Sequence, residues 1–175
     1  MRLVGAGGDE LELSIVGYQF PEADDPRLRF SWHMVEGRAV AGHQRWSFRW
    51  PALTCDESPR LAAWLRAAAA WADTDADTRS DTNTRADTEP GEPHPDAPHP
   101  GALAFTEPNL SLAVLDRGVT VRVGLDLELR PPSTQTTGAG HPTILHLDLR
   151  PDDLRRAARD LDADIVRYPD GLAAR

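Results

Sequence analysis

Six stretches of the chain alternate apolar with polar residues one for one, and this period of two restricts the fold more than any other feature of the sequence. A pattern of this kind buries one face of a strand and leaves the other wet. Leu11, Leu13 and Ile15 oppose Glu10, Glu12 and Ser14. Leu28, Phe30, Trp32 and Met34 oppose Arg29, Ser31 and His33, and Trp46, Phe48 and Trp50 oppose Arg45, Ser47 and Arg49. Gly37 and Gly42, between the second and third runs, suit a hairpin with a loose loop. Later, Leu110, Leu112 and Val114 alternate, and Asp116 to Gly118 reads as a turn. The longest run, Val119 to Leu129, sets Val121, Val123, Leu125 and Leu127 against Arg122, Gly124, Asp126 and Glu128. Leu145, Leu147 and Leu149 alternate with His146 and Asp148 in the last.

Two segments carry a helical period instead. Ser58 before Pro59 predicts a helix start, since serine accepts an orphan N–H and proline has none to leave unpaired. Leu61, Trp64, Leu65, Ala68 and Trp71 then form the stripe that would lie on a sheet. Pro151 opens a second helix with Asp152 and Asp153 in its first turn, and Leu154, Ala157, Ala158 and Leu161 as its buried side. The expected architecture is α+β: one domain over residues 1–175, with an antiparallel sheet of about six strands and two packed helices in the order βββα, βββα.

Between the two halves the text from Ala72 to Gly101 contains Asp-Thr repeats and then closely spaced prolines. With no large apolar side chain to bury, residues 73–101 cannot offset the entropy of ordering, and a disordered or extended insertion is expected. His94, Asp96 and His99 lie within it, but prolines hold them in an extended chain with no fixed convergence, so no metal site is expected.

The formal net charge of −9 repels nucleic acid and anionic lipid, so neither is an expected partner. All 19 basic residues are arginine, a composition that fits the coding bias of a GC-rich genome. Cys55 is the only cysteine, which excludes an intramolecular disulfide and a thiolate zinc cluster. The opening residues lack the apolar core of a secretory signal, and no apolar stretch approaches the length of a membrane span, so a cytoplasmic protein is expected.

No phosphate-binding glycine loop, serine elbow or HExxH motif is present, and no cofactor is expected. Glu107, Pro108 and Asn109 stand where the chain re-enters its core. They read either as a working site or as a bend, edge or bulge, because proline holds its predecessor extended and cannot donate to a ladder. Carboxylates are the one candidate chemistry. Glu107, Asp126, Glu128, Asp148 and His146 would act as acid and base only if they met in one pocket; otherwise the acids form a solvated or partner-binding face.

Four pieces, "LVGAGGDELELSIVGYQFP", "WSFRWPALT", "FTEPNLSLAV" and "VGLDLELRPP", together with the closing "HLDLRPDDLRRAARDL", resemble the WapI-like family of bacterial immunity proteins. The resemblance implies an inhibitor that is not an enzyme, and that binds the C-terminal domain of a polymorphic or contact-dependent toxin. The toxin is expected to be basic, in keeping with the acidic balance of this chain. Glu10, Glu12, Glu107, Asp126, Glu128 and Asp148 are then the partner-facing candidates, with reversal of Asp126 and Glu128 expected to weaken binding and spare the fold. The alternatives are a scaffold or regulatory protein-binding domain, and a carboxylate-based hydrolase using Glu107, Asp126 and His146.

Overall fold

The computed structural model describes residues 1–81, 98–135 and 140–172, with backbone alone over 75–81. Its architecture is α+β. Strands β1 (Arg2–Val4), β2 (Glu10–Tyr18), β3 (Trp32–Ala41) and β4 (Gln44–Thr54) form one antiparallel sheet in chain order, with the short helix α1 (Pro26–Arg29) between β2 and β3. Helix α2 (Glu57–Asp81) follows. Strands β5 (Ala102–Ala104), β6 (Leu110–Val114), β7 (Thr120–Leu125) and β8 (Thr143–Asp148) form a second antiparallel sheet, again in chain order. The short α3 (Pro132–Gln135) lies between β7 and β8, and α4 (Pro151–Arg167) follows. The strands thus divide into two sheets of four. The two that periodicity does not reveal, β1 and β5, are three residues long, too short to show alternation.

The sheets meet at β1 and β8, where the Ala6 N–H donates to the Asp148 carbonyl at 3.1 Å. Gly5 sits so close there that a Cβ would come within 3.0 Å of Leu147 Cα. One hydrophobic cluster runs through both sheets and both long helices, from Leu11, Leu13 and Trp46 to Leu65, Val123, Leu147 and Leu161. The α4 stripe is buried as its period predicts, at Leu154, Ala157, Ala158 and Leu161. Ion pairs Arg66–Asp162 and Arg155–Asp73 join α4 to α2. Asp164 reaches from α4 to accept the Ile15 N–H at 3.1 Å, beside the register shift between Ile15 and Gly17 in β2.

Four local expectations change. The second alternating run does not begin as a strand: Asp25 accepts the Arg27 N–H and Pro26 takes the first helical position, so residues 26–29 coil into α1 and Leu28 is 46% exposed. The strand starts at Trp32, and its buried face is His33, Val35, Gly37 and Ala39, opposite in parity to the expectation. The loop between β3 and β4 is tight, not loose, with Ala41 paired to Gln44 and Gly42 at φ 56°. The longest run also ends early. β7 stops at Leu125, Asp126 caps a 3-10 turn over Leu127–Leu129, and Leu127 stands at φ 48° with 41% of its surface exposed.

Of the expected insertion, residues 73–81 continue α2 as helix, and 82–97 lie outside the described residues. His94 and Asp96 lie there too, while His99 is described: it sits edge-on to Trp71 with ring centroids 4.6 Å apart. The returning chain runs back along α2. Trp64 donates its indole N–H to the Gly101 carbonyl at 3.0 Å, and Glu57 accepts the Thr106 N–H at 2.6 Å.

Candidate functional site

The outward side of the first sheet sets charged residues in three cross-strand rows. Register places Arg2, Glu12, Arg38 and Ser47 in one cross-strand row, Val4, Glu10, Val40 and Arg45 in a second, and Ser14, Glu36 and Arg49 in a third. These are the wet positions of the alternation whose other phase holds Leu11, Leu13, Val35 and Trp46 in the core. Arg2 pairs with Glu10 at 2.7 Å and Arg49 with Glu36 at 3.1 Å. The Arg2 hydrogen bond, outweighing the opposing effect of burial, holds the Glu10 carboxyl below its usual range, with help from the charges of Arg2, Arg45 and Arg38.

Two shallow concavities open on this face. One, of roughly 510 Å³, is lined by Glu12, Ser14, Glu36, Arg38, Ser47 and Arg49 over Gly37 and Phe48. Gly37 is required: a Cβ there would fall 2.0 Å from the Phe48 ring, which covers the bare backbone. The second, of roughly 580 Å³, includes Arg2, Glu10, Val40, Arg45 and Trp46. Pockets that enclose small molecules are deep and largely apolar. These are open and charged, and suit contact with another surface.

The acidic positions singled out from the sequence fall in different places. Glu10 and Glu12 lie on this face, but among arginines, so the patch is mixed in charge. Asp148, exposed at the end of β8, accepts the Thr120 hydroxyl at 2.9 Å. Asp126 holds the backbone in place, since its carboxylate accepts the Leu127 N–H at 2.7 Å and lies 3.5 Å from the buried Arg130 guanidinium. Reversing it would remove that cap, so a cost in stability is expected alongside any effect on binding. Glu128 is exposed on the same turn, and its carbonyl accepts from the Gln135 side chain.

Glu107 is half-buried in the bend before β6, Pro108 is exposed, and Asn109 is fully buried, its carbonyl accepting the Asp126 N–H. The stretch is therefore the bend through which the chain enters β6. His146 pairs with Arg122 on β7, four positions before Asp126, a separation of about 13 Å at strand rise. Glu107, Asp126 and His146 do not converge on one point.

Two buried polar groupings are not visible in the sequence pattern. Glu57, 2% exposed, accepts the Thr54 N–H at 3.0 Å and both the N–H and hydroxyl of Thr106. Burial pushes its carboxyl up, but these hydrogen bonds outweigh burial and the net shift is downward. His33 is fully buried between Ser58 and the Tyr168 carbonyl, with Nδ1 2.8 Å from the hydroxyl and Nε2 2.9 Å from the carbonyl oxygen. A carbonyl only accepts, so Nε2 carries the proton and Ser58 donates to Nδ1. Burial lowers the His33 pKa, against the opposing influence of the Tyr168 carbonyl and Asp170. Nearby, burial pushes the Cys55 thiol up to about 12, and Tyr18 donates to the Pro169 carbonyl at 2.6 Å. Ser58, expected to cap α2, is spent on His33 instead. The one sequence signal for this pairing is a histidine within an alternating strand.

Fold and surface together define an α+β protein of two antiparallel sheets, one of which presents an open, charged side to solvent. The model of the immunity protein WapI-like family matches residues 2–169, nearly the whole chain, and the chain belongs to that family. Neither the curated proteins nor the solved structures gave a match.

Proposed function

We propose that this protein protects its cell by binding the C-terminal domain of a cognate polymorphic toxin and occupying the surface that the toxin needs. Family membership supports an immunity role with a toxin as partner. The structural observation that supports the binding mode is the side of the first sheet that no described element covers, where both concavities open and where Glu36, Arg38, Arg45, Ser47 and Arg49 are exposed. A face of this breadth engages another protein through complementary charge and shape, without chemistry of its own. Glu10 and Glu12 are its acidic contacts in this reading.

The chain acts in the cytoplasm, and its net charge of −9 draws in a basic toxin domain before contact. Residues 1–175 work as one domain with the insertion carried inside it, a reading supported by the single cluster of buried side chains and by the Glu57–Thr106 link. The test is coexpression with the C-terminal domain of a polymorphic toxin from the same genome, followed by purification of the pair. Restored growth together with a stoichiometric complex is the expected result. A toxin that kills regardless and elutes alone would overturn the proposal.

A further inference from the structure

The face that the proposed function uses is locally cationic, although the chain as a whole is acidic. Arg2, Arg38, Arg45 and Arg49 stand on it against Glu10, Glu12 and Glu36. Arg2 and Arg49 are neutralised by Glu10 and Glu36. Arg38 and Arg45 are both exposed and form no ion pair within 4.0 Å among the described residues. Glu12, which lines both concavities with Arg38, has no such pair either. Two guanidiniums without a close ion pair, both acting on Glu10 only through their longer-range charge, therefore stand beside one carboxylate that also lacks one.

The register also fixes their spacing. Arg38 is opposite Ser47 in the β3–β4 ladder, so Arg45 lies on the diagonal, about 7–8 Å away. Alternate side chains on one side of an extended peptide are about 6.8 Å apart. A guanidinium recognises a carboxylate through paired N–H donors, and keeps its charge at any working pH.

We infer that Arg38 and Arg45 form a two-point receptor for an extended acidic segment of the partner protein, one that presents carboxylates at positions i and i+2. The inference rests on the proposed protein-binding role of this face and adds the chemistry of what it receives. Net charge governs the approach of the partner at long range, whereas these two arginines fix the docked register. The Ser47 hydroxyl beside Arg38 offers a further polar contact.

The experiment is an NMR titration of the full chain with three capped peptides that carry glutamate, glutamine or lysine at every second position. The glutamate peptide should shift the Arg38, Ser47 and Arg45 resonances and leave α4 unmoved, and the other two should do neither. Arg38→Gln with Arg45→Gln should weaken that binding roughly 30-fold or more, as hot-spot arginines do. The thermal midpoint should stay unchanged, because both side chains are exposed. Shifts elsewhere, equal response to the glutamine or lysine peptide, or no response would overturn the inference. The toxin domain, assayed with the same variants, separates the two proposals. Binding to wild type and double variant alike removes this receptor but keeps the immunity role; no binding to wild type, with the glutamate peptide still mapping here, does the reverse.

Discussion

Glu57 keeps an ionised carboxylate inside the protein because three donors meet it, two backbone N–H groups and the Thr106 hydroxyl. Leaving a buried donor without a partner costs about 1–3 kcal/mol. Glu57→Ala, which abandons all three, should therefore destabilise by about 1–3 kcal/mol, water replacing part of the loss at the half-buried Thr54 and exposed Thr106, measured as a shift in the urea midpoint. The sign with pH follows from the depressed folded value. Its contribution is in place above the unfolded pKa of about 4.3 and is lost as the pH falls through the lower folded value. His33 adds a second, separate acid limb. Its folded pKa is lowered, so the unfolded state binds the proton more readily, and stability falls as the pH drops below about 6.5. Urea midpoints should therefore decline in two steps between neutral pH and pH 3. His33→Gln should remove the upper step and leave the lower.

The 3-10 turn after β7 shows how one backbone feature redirects an element. Alternation predicts strand through Leu129, yet the turn begins at Leu127, and Leu127 points outward while Leu129 is fully buried. Leu129→Ala should cost about 2–5 kcal/mol, in the range for a buried leucine, and Leu127→Ala less than about 1 kcal/mol. Equal costs would contradict the turn. Within β3, Gly37→Val should destabilise because the Phe48 ring occupies the place of the new side chain; the melting temperature of the variant measures it. The sequence is legible where long runs alternate and where a proline and first-turn acids open a helix with a periodic stripe: β2, β4, β6, β8 and α4. Alternation misleads at Asp25–Pro26, where a working cap and a proline override it, whereas at Ser58–Pro59 a similar pair forms no such cap because Ser58 bonds His33. The candidate site is less legible. Period two identifies Glu10 and Glu12 as wet, but only the cross-strand register shows that arginines surround them.

At the scale of the whole molecule, each half builds a four-stranded sheet and then a helix, and the halves are joined by side chains as well as by the chain. The α2–α4 ion pairs, the Glu57–Thr106 bonds and the Ala6–Asp148 bond all cross between them. Association with a basic partner should slow as ionic strength rises roughly tenfold, since the Debye length shrinks about threefold. Stopped-flow mixing measures it; a rate indifferent to salt would rule out steering.

The return of the chain along α2, with Gly101 at Trp64 and Thr106 at Glu57, has a consequence for how such a gene can be cut. The Trp64–Gly101 and Glu57–Thr106 contacts lie outside residues 82–97, so they join the two halves independently of the covalent link. A protease site introduced within residues 82–97 should yield two fragments that co-purify and melt as one. On that outcome the two halves would behave as the subunits of a heterodimer translated as a single polypeptide.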